Sequence, residues 1–112
     1  MSFNNPIPIR LKEARQKAKL SQKELGVRIG MDEGSASPRM NQYEKGKHTP
    51  DVRTLKLIAD ELKVPLNYFF CEDPESAELA IAIATLSTEK RRLLLKFIHD
   101  LSNGLCCVIR GN

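Results

Sequence analysis

The chain has 112 residues and an apolar fraction of 41%, enough for one domain with a core that needs no metal or disulfide support. No apolar run approaches the roughly 18 residues that would span a bilayer, and the N-terminus lacks the pattern of a secretory signal, so we expect a cytoplasmic protein without a membrane partner. The net charge is +4, and residues 1–70 hold 13 of the 18 basic but only 8 of the 14 acidic residues. A basic half favours an anionic partner such as nucleic acid, although a plain solvated surface has the same pattern.

The sequence offers little chemistry for catalysis or metal binding. Three cysteines, Cys71, Cys106 and Cys107, are an odd number without regular spacing, which argues against a disulfide framework and a zinc site. Buried or tail thiols are favoured over a redox or metal role for the adjacent pair. His48 and His99 have no evident partners, and the motifs of phosphate loops, nucleophile elbows and metal-binding helices do not occur. We therefore expect no catalytic residue, no metal and no cofactor.

Two helices are predicted in the first thirty residues. The apolar periodicity indicates a helix over residues 9–19. Ser21 and Glu24 then have the spacing of a capping box, which starts a second helix. Gly26, in the middle of that helix, costs about 1 kcal/mol relative to alanine and indicates that another helix crosses close by. Gly30 ends the second helix.

A long polar turn is predicted at residues 31–36, before a third helix. Ser37 is a good N-cap and Pro38 suits the first helical position, so we expect this helix to cover residues 37–45. A Lys-Gly-Lys sequence at residues 45–47 ends it.

The third helix is polar on most of its surface. Only Met40 and Tyr43 are apolar, enough to anchor one face to a core. A helix, a turn and a polar helix are the layout of a helix-turn-helix, whose second helix lies in the major groove of DNA. Arg39, Asn41 and Gln42 are residue types that make bidentate contacts, arginine with guanine and the amides with adenine. A merely solvated face is the alternative.

The remaining chain is also predicted to be helical. Asp51 caps a fourth helix, in which Leu55, Ile58, Ala59 and Leu62 recur at helical spacing. A short fifth helix follows, in which Leu66, Phe69 and Phe70 are available to the core.

The composition changes after residue 70, where two amphipathic helices are predicted at about residues 74–86 and 88–103. They suggest a hairpin through which two chains form a homodimer, with packing on their own domain as the alternative. The last eight residues are expected to form an edge strand or a packed tail.

The motifs of residues 7–70 resemble those of the XRE family of helix-turn-helix regulators, which includes lambda repressor and Cro. The resemblance implies an all-α fold in which residues 1–70 form a five-helix lambda-repressor-like DNA-binding domain. Residues 71–112 lie outside the resemblance, and their own pattern is what predicts that they add a helical hairpin. The resemblance also implies sequence-specific binding of double-stranded DNA by a dimer, with repression at a palindromic operator expected. The matching positions are Ser21-Gln22-x-x-Leu25-Gly26, Gly30, Tyr43-Glu44-x-Gly46-x-x-x-Pro50 and the series Leu55, Ile58, Ala59, Leu62 and Val64.

Residue roles follow from the resemblance. Gln22 resembles the family glutamine that contacts a phosphate and braces the recognition helix, and Gly26 stands where the family usually has alanine. Glu44 is expected to be structural, bonded near the loop or to the first helix. Asn41 and Gln42 are the expected base readers. The full set of expected DNA-binding residues is Gln22, Ser37, Arg39, Asn41, Gln42, Lys45 and Lys47.

The chain departs from most family members in the turn at residues 31–37, which is about four residues longer. Asp32 and Glu33 are expected to point away from DNA, because phosphates would repel them. The competing hypothesis is a protein-interaction module, antitoxin-like or polymerase-contacting, that uses the C-terminal helices. No small-molecule ligand is indicated.

Overall fold

The computed structural model describes residues 4–105, in which every regular element is a helix and no β-strand occurs. The all-α prediction is therefore confirmed for this part of the chain, while the predictions for Cys106, Cys107 and the end of the chain lie outside the described residues. The elements are α1 (Ile7–Lys17), α2 (Gln22–Arg28), α3 (Glu33–Glu44), α4 (Val52–Leu62), a 3-10 helix (Leu66–Phe70), α5 (Pro74–Ala84), α6 (Thr88–His99) and a π-helical segment (Asp100–Leu105).

The helices α1, α2, α3, α4 and α5 and the 3-10 helix share one hydrophobic core. The apolar face of α4 is buried as its periodicity predicts, and Asp51 caps that helix by accepting a hydrogen bond from the Thr54 backbone N–H at 2.8 Å. The largest fully buried side chains come from α1 to α4 and the 3-10 helix: Leu11, Leu25, Met40, Leu55, Ile58, Tyr68 and Phe69.

The prediction for the fifth helix is wrong in one respect. Phe70 is exposed, and Tyr68 is fully buried in its place, with its ring edge-on to Phe69 at a centroid distance of 5.5 Å. This segment is a 3-10 helix with three residues per turn, so the side-chain directions differ from those of an α-helix.

A polar cluster fixes the start of α5 against α1. The Arg10 guanidinium is buried and donates from Nε to the carbonyl of Cys71 at 3.0 Å and from Nη1 to Glu13 at 2.9 Å. The hydroxyl of Tyr68 also donates to the Glu13 carboxylate. Burial raises the pKa of Tyr68, and the adjacent Glu13 raises it further, so Tyr68 stays a neutral donor.

The start of α3 differs from the prediction. The helix begins at Glu33, four residues before Ser37, and it ends at Glu44. The predicted turn over residues 31–36 is therefore wrong, because most of those residues form the first turn of the helix. The physical reason is tertiary packing: Ala36 is fully buried against α2, which outweighs the local serine-proline start signal.

The two C-terminal helices differ in how they pack. In α5, Ala77 and Ala80 are buried in the common core. The guanidinium of Arg91 in α6 donates to the carbonyls of Ile83 and Ala84 at the end of α5, at 3.3 and 3.1 Å. No residue of α6 is buried. Hence α5 is part of the body, whereas α6 keeps its apolar side chains in solvent.

The helix α5 stops at Ala84, two residues before its predicted end, whereas the helix predicted over residues 88–103 is α-helical to His99 and continues as the π-helical segment to Leu105. Among the described helices, none has both the length and the apolarity needed to cross a membrane.

Candidate nucleic-acid interface

The capping box at the start of α2 sets the position of Gln22. Ser21 Oγ accepts a hydrogen bond from the Glu24 backbone N–H at 2.9 Å, and the Glu24 carboxylate accepts one from the Ser21 backbone N–H at 2.8 Å. Hydrogen bonds with Ser21 hold the pKa of the Glu24 carboxyl below its usual range, and the bond with the Ser21 backbone has a larger effect than the bond with its side chain. Gln22 is thereby the first residue of α2, on the side that faces α3.

Helices α2 and α3 cross in close contact at Gly26. A Cβ atom built on Gly26 would lie 2.7 Å from the Ala36 Cβ and 3.0 Å from the Ala36 Cα. Atoms this close would overlap, so the crossing requires glycine at this position. The close approach expected from the sequence is therefore present, and it brings α3 into direct contact with α2.

The Gln22 amide braces α3 along one line of side chains. Its Nε2 donates to Asn41 Oδ1 at 3.2 Å and to Glu44 Oε1 at 3.1 Å, and its Oε1 accepts from Ser37 Oγ at 3.4 Å. Ser37, Asn41 and Glu44 are spaced i, i+4 and i+7, so they share one side of the helix. A single amide thus contacts two turns of α3.

Glu44 ties the other end of this line to α1. Its carboxylate pairs with Arg15 in a two-point contact, Nε to Oε2 at 2.5 Å and Nη2 to Oε1 at 3.1 Å. Arg15 Nη1 also donates to the Leu20 carbonyl at 2.8 Å. The side chains of Arg15 and Glu44 are only 12% and 3% exposed. Glu44 therefore has the structural position expected of it.

The face of α3 opposite its buried anchors is open to solvent. Met40 and Tyr43 are buried as predicted, and Ala36, which the sequence reasoning missed, joins them. Arg39 and Asn41 are exposed, and Gln42 is half-buried. Arg39 and Gln42 line a groove towards the start of α4, completed by Tyr43, His48, Thr49, Asp51 and Thr54.

The loop after α3 carries further charge. Lys45 and Lys47 are exposed there, beyond the end of the helix. The backbone N–H of Lys47 donates to the Gln42 carbonyl at 3.0 Å, and Gly46 has a φ of +76°, so the loop folds tightly over the helix end. The backbone of Lys47 is therefore held next to Gln42, at the end of the exposed polar face.

The predicted site residues thus fall into three groups. Gln22, Ser37 and Asn41 are joined by hydrogen bonds, Arg39 and Gln42 border the groove beside α4, and Lys45 and Lys47 follow the helix. Ser37 belongs to the brace, since it lies inside α3 and does not cap it. The structure also adds Arg15, which no local pattern in the sequence connects to Glu44.

The described residues contain no group of three or more potential metal-ligating side chains.

Comparisons with known proteins agree with this geometry. The sequence model of the helix-turn-helix family matches residues 11–69. The solved structure described as the crystal structure of transcriptional regulator BswR is 46% identical in sequence, covers 84% of this chain and 93% of its own, and superposes with a TM-score of 0.77. A search of curated proteins finds no match. The family model covers more than half of the chain and the related structure most of it, and the chain therefore belongs to the XRE-type helix-turn-helix family of DNA-binding transcriptional regulators.

Proposed function

We propose that the protein is a sequence-specific regulator, of the repressor type, that acts in the cytoplasm on a palindromic operator in double-stranded DNA. In this proposal α3 lies in the major groove, and two chains bind the two half-sites. The observation that carries it is the polar face of α3, which is exposed but held rigidly to α1 and α2 through Gln22, Glu44 and Arg15. A rigid polar helix suits base readout, because positioned donors and acceptors lose little entropy on binding.

Asn41 and Gln42 are proposed as base readers. Asn41 Oδ1 accepts a hydrogen bond from Gln22, which orients the amide plane while the Nδ2 donors and the second lone pair of Oδ1 stay available. An amide in that state is suited to the N6 and N7 edge of adenine. Arg39, on the edge towards α4, is assigned to guanine or to a phosphate, as the chemistry of guanidinium allows.

Lys45 and Lys47 are proposed to grip the DNA backbone. Both are exposed in the loop that follows α3, so their side chains are free to extend to phosphates on either side of the groove without breaking any contact in the core. Gln22 and Ser37, at the junction of α2 and α3, are proposed to add a phosphate contact at the other edge. Such contacts position the protein and carry no sequence information.

Dimerisation is proposed to involve the C-terminal extension of residues 71–112, and α6 above all. This helix has no buried residue, yet Leu93, Leu95 and Phe97 are 65%, 55% and 60% exposed. A helix with several large apolar side chains in water favours association with a like surface. Two recognition helices separated by about one turn of DNA, ~34 Å, then match a palindromic site.

Selection of duplexes from a random pool by the purified protein tests the proposal. We expect a palindromic sequence whose binding weakens steeply as salt rises, because phosphate contacts release counterions. Replacing Asn41 and Gln42 together by alanine should relax the preference at their base pairs, by ~1–3 kcal/mol for each lost bidentate contact. Lys45→Ala is the matched comparison, and it should weaken binding to all duplexes alike and reduce the salt slope by about one unit.

The exposed face of α6 also favours a second function, in which the chain binds a different protein partner through its C-terminal helices. Recovery of no preferred duplex, combined with a wild-type chain that stays monomeric, would support that alternative and contradict the first.

A further inference from the structure

A proline lies well inside α3, where it is unfavourable. Pro38 is the sixth residue of a helix that begins at Glu33. The first four residues of a helix have no acceptor for their N–H groups, but the residue at position 38 would normally donate to the carbonyl of Gly34. Proline has no N–H, and its ring crowds that carbonyl, so it weakens a helix interior. Pro38 is exposed, so burial in the core does not offset this cost.

Pro38 lies on the side of α3 that faces away from the protein. The buried positions of this helix are Ala36, Met40 and Tyr43. Stepping back two residues from each turns by about 200°, which places Gly34, Pro38 and Asn41 on the opposite side. Their line contains the proposed base reader Asn41, and all three residues are exposed.

Along this line the first two residues, Gly34 and Pro38, have no polar side-chain group, and only the third, Asn41, is polar. Gly34 has no side chain, and nothing lies within 4 Å of the position that its Cβ would take. Pro38 follows with a compact hydrocarbon ring and no donor or acceptor of its own. The backbone of α3 at Gly34 is therefore able to approach a surface closely, and the Pro38 ring is the apolar group that follows it along this line.

In the major groove, the only apolar group on the base edges is the C5-methyl group of thymine. Pro38 and Asn41 are three residues apart, a rise of ~4.5 Å along the helix, which is close to the ~3.4 Å spacing of neighbouring bases. On the basis of the proposed function, we propose that the Pro38 ring contacts the C5-methyl group of a thymine next to the base that Asn41 reads. The residue is then a specificity determinant that acts by apolar contact.

Deoxyuridine tests this directly, because it differs from thymidine only by the missing methyl group. Each thymine of the selected operator is replaced in turn, and the affinity of wild type is compared with that of Pro38→Ser. Burial of one such group corresponds to about a fourfold change in affinity. We expect that loss in wild type at one thymine in each half-site, and no loss at that thymine in Pro38→Ser.

Serine at this position restores the backbone N–H, so the variant should keep its helix. Ser35→Ala, in the same turn of α3 but off the outward line, is the matched control and should keep the fourfold ratio. Equal thymine-to-uracil ratios in wild type and Pro38→Ser at every position, or half-sites without thymine, would overturn this inference while leaving the regulator proposal intact. A protein that selects no operator overturns both.

Discussion

Gly26 and Gly34 lie in neighbouring helices of the same motif, but their surroundings are opposite. Gly26 is buried at the crossing of α2 and α3, and a Cβ there would overlap both Cβ and Cα of Ala36. Gly34 is exposed in the first turn of α3, with open space where its Cβ would lie. Neither glycine has a positive φ, so neither is retained for backbone conformation. The difference between them is purely one of contact.

The same substitution should therefore have opposite effects at the two positions. Gly26→Ala should destabilise the fold by about 1–3 kcal/mol, because the gain in helix propensity is smaller than the cost of forcing two helices apart. Gly34→Ala should stabilise it by about 0.4–1 kcal/mol, since alanine restricts the unfolded chain and meets nothing in the folded one. Urea denaturation of both variants measures the two effects, and two changes of the same sign would contradict this account of the crossing.

At the scale of elements, sequence reasoning succeeded where one local signal agreed with packing. The capping box at Ser21 and the periodic apolar face of α4 both specify helices that the structure contains. It failed at α3, where Ser37 and Pro38 form a good local start, while burial of Ala36 keeps the preceding residues helical. Tertiary contacts between residues distant in sequence decide such cases, and a single sequence does not reveal them.

The residues of the candidate site were likewise predictable where local sequence signals specify them, and not where contacts between distant residues decide. The polar residues of α3 and its two anchors follow from spacing and from the family resemblance. For Glu44 the resemblance left the partner open between the loop and the first helix, and only the structure identifies Arg15, which is 29 positions away on α1. This ion pair connects the start of the domain to the end of α3, so it sets the orientation of the element rather than contacting DNA.

Loss of this ion pair should be costly when only one charge is removed. Arg15→Met leaves the Glu44 carboxylate, 3% exposed, without its cation, and should destabilise the fold by on the order of 3 kcal/mol. Adding Glu44→Gln removes the unpaired charge and keeps an amide that can still bond to Gln22. The double variant should therefore be more stable than Arg15→Met alone, as measured by denaturant midpoints. A further loss on adding Glu44→Gln would show that the charge pair is not what holds α3.

At the scale of the whole molecule, the apolar side chains of the first five α-helices are largely buried, whereas those of α6 are largely exposed. Helices α1 to α5 share one core, whereas α6 is joined to them chiefly through Arg91, which donates to the last carbonyls of α5. This arrangement fixes where α6 starts without covering its apolar side chains. A helix held at one end, none of whose residues is buried by the part of the chain that the structure describes, is suited to pairing with its equivalent in a second chain.

Substitutions on α6 should separate dimerisation from folding. Phe97 and Ile98 are 60% and 41% exposed, so replacing both by serine removes no core contact and should leave the stability of the body almost unchanged. If α6 pairs two chains, the variant should be monomeric in analytical ultracentrifugation at concentrations where wild type is dimeric. Lys96→Ser, on the opposite side of the same helix, is the control and should remain dimeric.

The DNA affinity of this monomeric variant should change in a specific way. Two linked recognition helices gain from binding the second half-site as an intramolecular step, and that gain disappears when the chains separate. The variant should bind a full operator no more tightly than a single half-site, while its preference among base pairs within the half-site stays unchanged. A wild-type chain that is already monomeric, or a double variant that still dimerises, would place the contact between chains elsewhere. The expected result is a monomeric variant that binds the full operator more weakly but keeps its base preference. That result would show that α3 reads DNA on its own and that α6 contributes only the pairing of two such readers.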